Sequence, residues 1–481
     1  MKLFRKDKEF YSKVFKLAMP IAFQSLITIG VNMLDTIMVG QLGKKSLAAV
    51  NFANSFIGIY HILCMGVGMG ASVLVSRYWG IKNSKNSSNK EEAGYALKQT
   101  VALMLRLTMG LAALFAIATI IMPETIMSMY TDDEEIIQLG TNYFNYSIPT
   151  YFFLGASLVT TIVLRSVGQV KLPMIVSIGA FFVNMGANYT LIFGHLGFEP
   201  MNEAGAALGT LIARIFEATC IIFYLLYVDK KIYFRLKDMF LKTRSLIGEY
   251  FRICIPVLIS DGILALGNNT VTIVIGNYST DFAAANAITG VTQQLSSVVI
   301  QGVCQAGAIV TGQTLGTGDK EKTMQQAWQF LGLGFGLGAV SAGILMIIST
   351  PIINSYTEVS QSVRDLAEQL MRAISLIIVF QATNSIMTKG VLRGGGDTKM
   401  LMLADNVFLW ALSIPLGYMA GYVFELDVFW VYFFLKIDQV VKTIWCIIRL
   451  RGGKWIKKIS TGKNQSLPAE ISDKKMLTSG K

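Results

Sequence analysis

Blocks of twenty or more apolar residues alternate along this chain with short polar segments. Each block is close to the roughly 20 residues that a helix needs to cross the hydrocarbon of a bilayer. The pattern predicts about twelve spanning helices, over 14–39, 47–76, 97–121, 138–164, 172–194, 204–228, 250–276, 282–312, 324–349, 364–391, 400–423 and 428–449. The polar segments sort by charge. Cations gather at the N-terminus (Lys2, Arg5, Lys6, Lys8, Lys13), after the second block (Arg77, Lys82, Lys85, Lys90), after the fourth (Arg165, Lys171) and after the sixth (Lys230, Lys231, Arg235, Lys237, Lys242, Arg244). They recur at Lys320 and Lys322, at Arg393 and Lys399, and in the C-terminal tail. The intervening loops are poor in cations, and one of them, Thr131 to Glu135, is acidic; only Lys44 and Lys45 run against the trend. The positive-inside rule then puts both termini in the cytoplasm, which an even number of spans also requires.

The first block contains the stretch Pro20 to Gly40, apolar except for a few groups of which one is a carboxylate, Asp35. Pro256 to Gly276 lines up with it without a gap, pairing Pro20 with Pro256, Asn32 with Asn268 and Gly40 with Gly276. The register continues through Gly66 with Gly302 and Gly80 with Gly316. A second echo matches Leu164–Lys171 with Leu392–Lys399, each after the fourth helix of its half. Two halves with an even number of helices have the same orientation, so a pseudo-two-fold axis along the membrane normal should relate them. The chain thus divides into an N-terminal segment (1–13), a first six-helix bundle (14–228), a cytoplasmic linker (229–249), a second six-helix bundle (250–449) and a tail (450–481). The linker alternates basic and apolar residues; it reads either as an amphipathic helix on the inner leaflet or as a solvated connection. The tail is polar and aperiodic and reads as disordered.

Composition agrees with this all-α membrane protein. Of 481 residues 53% are hydrophobic and 15% charged, against about 25% charged in soluble domains. The net charge of +12 lies in the segments between spans, so it points to the bilayer and not to nucleic acid. The basic start is followed by an apolar run long enough to span and without a small-residue cleavage site, so a cleavable signal peptide is not expected. The five cysteines lack metal or disulfide spacing and read as small buried hydrophobes. There is no Walker phosphate loop, no HExxH and no CxxC, so an enzyme or an ATP-driven pump is not expected, and no cofactor. Energy must come from a gradient.

Asp35 is the leading candidate for that coupling. An ionisable group at membrane depth costs roughly 2.5–3.5 kcal/mol on insertion scales, and such groups mark pathways. Burial disfavours its charge, so it could load and release protons; with Asn32, Thr36, Gln24 and Asn51 near in sequence it could instead hold a small hard cation such as Na+. The alternative is a structural acid paired with a neighbouring helix. Asp261, near Ser260, Asn268 and Asn269, reads as an ion or cation site of the second half or as a structural contact. Asp405, beside Asn406, is a further candidate. Asn184 and Asn188 share one helical face and either bind cations or join helices. Arg214 with Glu217, and Asp438 with Lys442, are spaced to neutralise each other. His61 reads as a packing residue. Dense glycines and 23 methionines suit close helix contact and an adaptable cavity, and are also common in membrane helices.

These motifs resemble the MATE (multidrug and toxic compound extrusion) family over about Phe15 to Arg449: Pro20 to Asp35 with the following MVGQLG, LRSVGQVKLPM at 164–174, NMGANYTLIFGHLGF at 184–198 with AGAALGT at 204–210, IPVLISDG at 255–262 and LRGGGDTK at 392–399. The resemblance implies two six-helix bundles around a central cavity. It implies export of organic cations or related toxic compounds from the cell in exchange for H+ or Na+. Asp35 matches the family's acid on the first helix, and Asp261 falls where many relatives carry a glutamate. Asn184 matches a family asparagine. At Asn188 one branch of the family has aspartate, which leaves the coupling ion open. A monomer in the plasma or inner membrane is expected. The competing readings are a flippase for a lipid-linked saccharide, which wants a more cationic cavity, and a receptor or channel that does not transport.

Overall fold

The computed structural model describes residues 7–84, 89–355 and 359–457. Helices make up nearly all of them, and no strand occurs among the described residues. Twelve rods follow in chain order: α1 (Lys8–Gly40), α2 (Lys44–Asn83), α3 (Lys90–Ile121), α4 (Glu134–Ser147 and Thr150–Ser166), α5 (Lys171–Phe193), α6 (Asn202–Phe223), α7 (Arg244–Tyr278), α8 (Thr280–Gly316), α9 (Lys320–Ser355), α10 (Gln361–Ser385), α11 (Thr398–Val407 and Ile414–Tyr422) and α12 (Val428–Leu435 and Asp438–Arg451). They match the twelve expected spans in order. A short extra helix, Pro123–Ser128, lies between α3 and α4.

The rods differ from uniform apolar cylinders in ways that have local causes. By length and apolarity ten described helices can cross a bilayer, and the two parts of α4, bent by 57° at Pro149, make an eleventh span. The last rod fails that measure because it is broken at Lys436 and Ile437 and carries Asp438, Lys442, Arg449 and Arg451. Turns of π-helix extend α6 (Tyr224–Val228) and α10 (Ile386–Leu392) and join the two parts of α11 (Phe408–Ser413). Helix α1 starts on Asp7, whose carboxylate accepts from the Phe10 amide at 3.0 Å, filling one of the orphan donors of a helix start.

The halves interlock at one end. Phe10, Val14, Leu17, Ala18 and Ile21, at the start of α1, belong to the apolar core of the second half. Leu246, Tyr250, Ile253 and Cys254, at the start of α7, belong to the core of the first. Where α2 and α8 cross, there is no room for side chains: a methyl on Gly316 would sit 2.8 Å from the Gly80 Cα, and one on Gly80 would strike the Gln313 backbone. These contacts lie at the beginnings of α1 and α7 and the ends of α2 and α8, so the protein is sealed at the end that carries the N-terminus.

The linker between the halves is neither one amphipathic helix nor loose: it holds the short turn Leu236–Phe240, and its last residues, from Arg244, already belong to α7. Asp229, fully buried, accepts from the amides of Ile232 at 2.8 Å and Tyr233 at 3.1 Å and from Gln169 at 2.9 Å. Ile232 and Phe234 are buried, and Asp238, in the 3-10 turn Leu236–Phe240, meets Lys98 at 2.9 Å. Two carboxylates that organise the backbone outweigh the alternation of basic and apolar residues that favoured an amphipathic helix. The expectation of disorder from residue 450 also changes: α12 runs to Arg451, and Trp455 is fully buried against Gly395. The remainder of that tail, 458–481, lies outside the described residues, as do Lys2, Arg5, Lys6 and Lys85. The exception to the charge pattern has a partner. Lys45 pairs with Glu135 and, at 3.4 Å, with Asp133 of the acidic loop.

Candidate functional site

A cavity of about 400 Å³ opens inside the first half, toward the end opposite the interlocked one. Its walls come from α1, α2, α4, α5 and α6. Asp35 lies in the wall, with Asn32 and Thr36 of its own helix and Asn184 of α5. Residues four apart on a helix share a face, so the row Thr28, Asn32, Thr36 turns one polar stripe of α1 into this space. The Thr36 hydroxyl is engaged by its own helix, donating to the Asn32 carbonyl at 2.8 Å.

Asp35 is held from α5. The Asn188 Nδ2 donates to Asp35 Oδ1 at 2.6 Å and reaches Asn184 Oδ1 at 3.3 Å. Asn188 is fully buried and Asn184 nearly so, so the pair of amides forms a fixed support beneath the carboxylate. No cationic side chain stands within ion-pair distance of Asp35 among the described residues, which excludes the structural-acid alternative in the form of a salt bridge. Among the described residues there is also no group of three or more His, Cys, Asp or Glu side chains that could hold a metal.

Several wall residues were not expected. Tyr143 of α4 is buried and donates to Asn54 Oδ1 at 3.1 Å. Arg214 and Glu217 of α6 are bonded to each other at 2.7 Å, as their spacing implies, yet both line the cavity, and so does His61. Gly205 and Gly209 of α6 let α5 approach: a methyl on Gly205 would lie 2.6 Å from the Leu191 carbonyl, and one on Gly209 would collide with the Asn188 amide. The sequence signal for this was the small-xxx-small spacing of Gly205 and Gly209.

The candidates of the second half lie elsewhere. Asp261 is bonded to Arg393 at 2.9 Å, its structural alternative; it does not join Asp35. Asn268 is exposed and accepts from Lys436 at 3.1 Å. Asp405 is buried, 2% exposed, and is bound to Lys442 at 3.4 Å and Ser260 at 3.2 Å. Lys442 also holds Asp438 at 3.0 Å. Asp405, a further candidate in the sequence, is thus one end of a buried ion cluster: the lysine whose spacing pairs it with Asp438 serves both carboxylates. Gln24 is likewise away from Asp35, bonded to Ser177 at 2.7 Å and Arg165 at 2.6 Å.

Comparison with known proteins fits this arrangement. The sequence matches MatE over residues 20–190 and 256–419. It is similar to the uncharacterized transporter YisQ of Bacillus subtilis (strain 168), 23% identical over 460 residues that cover 94% of this chain and 96% of the relative. It is similar to the probable multidrug resistance protein NorM of Thermotoga maritima, 23% identical over 455 residues, 94% of each chain. The fold is similar to the crystal structure of a MATE in complex with MaL6, with a TM-score of 0.82 at 18% identity over 94% of this chain and 98% of that one.

Proposed function

The chain belongs to the MatE family, and from that premise we propose that it is a secondary active multidrug exporter whose coupling group is Asp35. The observation that carries this reading is an unpaired carboxylate at membrane depth, fixed by Asn188 at 2.6 Å in the wall of a cavity of about 400 Å³. A charge there needs a function to offset its cost of several kcal/mol. The substrates are drug-sized organic cations or amphiphiles, for which a cavity lined by Asp35, Tyr143, Phe181 and apolar side chains is suited.

We take the proton as the coupling ion. A carboxylate in the cavity wall whose partner, Asn188 at 2.6 Å, is a neutral amide can take up and release a proton there. With the end bearing the N-terminus in the cytoplasm, the cavity faces outward. Protonation of Asp35 from outside removes the charge that holds a cation, the cation leaves, and the halves 14–228 and 250–449 rock to face inward around the seam. The protein acts as a monomer in the plasma or inner membrane.

The test is ethidium accumulation in an efflux-deficient host expressing wild type or Asp35→Asn. The variant should reach the membrane folded and lose at least ~10-fold in gradient-driven export, because its side chain cannot titrate. Wild-type export by that variant refutes the role. Proteoliposomes with an imposed pH gradient or an imposed Na+ gradient then decide the ion: export driven by Na+ alone overturns the proton assignment and leaves the exporter reading standing.

A further inference from the structure

One buried guanidinium ties the first half to two pieces of the second at the sealed end. Arg77 sits on α2, three residues before Gly80, and is buried. Its Nη2 donates to the Gly395 carbonyl at 3.2 Å and its Nη1 to the Lys457 carbonyl at 2.5 Å. Gly395 lies in the turn after α10, and Lys457 in the segment that follows α12. Among the described residues no carboxylate stands within ion-pair distance of Arg77. Glu249 acts on it from further off, and Nε has no acceptor.

The repeat makes the same tie in the other direction, and more weakly. Gln313, three residues before Gly316, is the counterpart of Arg77, and its Nε2 donates to the Ser166 carbonyl at 3.0 Å. Ser166 ends α4, in the stretch that echoes Leu392–Lys399. The second helix of each half therefore grips the end of the other half's fourth. One grip is a single bond from a neutral amide. The other is two bonds from a cation, each about twice as strong as a neutral one. The segment 452–457 supplies the extra acceptor and is itself docked on the second half. The Trp455 ring is fully buried against Gly395. The Lys457 amide donates to the same Gly395 carbonyl at 3.0 Å. The Lys457 ammonium lies 3.5 Å from Asp397, which Arg449 holds at 2.7 Å.

We propose that the segment 452–457 is a latch on the sealed end: docked, it completes the grip of Arg77 and holds the halves together, and released, it lets them part. A buried charge is tolerated where its hydrogen bonds are met. Without the Lys457 carbonyl the guanidinium keeps one acceptor and stands under-compensated in the protein, which is costly. Parting of the halves gives it water and removes that cost. Docking of the segment thus biases the equilibrium between sealed and open states. The inference rests on the rocking of the halves in the exporter reading and not on the role of Asp35.

The test is a spin-label distance measurement across the sealed end, on the protein in nanodiscs. Labels go on Lys171→Cys and Lys399→Cys, exposed repeat partners from the two halves. Cys220 is replaced by Ser, the other four cysteines being buried. The otherwise unchanged chain should show one short distance. Arg77→Gln and a stop after Arg451 should each add a longer one, raising the ratio of open to sealed at least ~10-fold, since a lost bond to a charged group is worth about that factor. A stop after Lys457 keeps the latch and should leave the short distance alone. Arg77→Gln leaves Trp455 and Asp397 in place, so it carries the test where the shorter chain loosens α12. Circular dichroism and size exclusion report that the variants are folded. Unchanged distances in Arg77→Gln and in the stop after Arg451 overturn the latch. So does an equal shift in the stop after Lys457. The distances are read without substrate or gradient and with Asp35 intact, so that failure leaves the exporter reading untouched.

Discussion

Replacing Lys442 by methionine removes the ammonium that bridges Asp405 and Asp438. The three groups are 1–2% exposed, with Nζ 3.4 Å from Asp405 Oδ1 and 3.0 Å from Asp438 Oδ2. Ser413 and Gln439 support Asp438 at 3.1 Å and 2.7 Å, and Ser260 supports Asp405 at 3.2 Å, but hydroxyls and amides cannot neutralise two carboxylates. Breaking a buried pair by deleting one partner costs about 3–5 kcal/mol, because the other charge is left without compensation. Here two are left, so the upper part of that range applies, equivalent to ~1,000-fold or more in the folding equilibrium. The assay is SDS-induced unfolding from detergent micelles, followed by circular dichroism, with wild type, Lys442→Met and the triple change Asp405→Asn, Lys442→Met, Asp438→Asn. The single variant should unfold at clearly lower SDS, and the triple one should recover most of the loss by removing the stranded charges. A Lys442→Met protein as stable as wild type would show that the cluster is not an ion pair, and Asp405 would return as a candidate for ion coupling.

Other outcomes follow from geometry already described. Gly209→Val pushes the Asn188 amide off Asp35; losing a hydrogen bond to a charged group is worth about 1.5–3 kcal/mol, so drug export should fall at least ~10-fold while size-exclusion profiles stay normal, and unchanged export contradicts the support role of Asn188. Lys45→Ala removes only exposed pairs with Asp133 and Glu135; SDS unfolding should match wild type, and a clear shift to lower SDS would contradict their solvent-screened character. Asp229→Ala strands the amides of Ile232 and Tyr233, and limited proteolysis should then cut between the halves at residues 229–243, a region wild type protects.

The rods were legible because a bilayer demands long apolar blocks, and their order because the blocks are separated by turns and charge. Asp35 and the Asn184–Asn188 pair were legible because polar groups in such blocks stand out and four-residue spacing fixes their face. What was hidden depends on distant parts of the chain. Arg393 lies 132 residues from Asp261, and Lys442 reaches Asp405 from the next helix; no local spacing announces either. Gly205 and Gly209 carry a small-xxx-small spacing, but that spacing does not say that the room at Gly209 is taken by the Asn188 amide of another helix. The linker misled for a related reason: the pattern of apolar residues is the same for a membrane-surface helix and for a strap whose Ile232 and Phe234 are buried in protein.

At the crossing of α2 and α8 the repeat partners Gly80 and Gly316 touch. A surface that meets its own twin is what an isologous dimer has, so the single chain keeps the contact geometry of two half-length subunits. The mass of either side chain at that crossing counts against the same gap. A bulky residue at one position therefore spends the space of both, and the two positions can enlarge only by prying apart the one end at which the halves are joined.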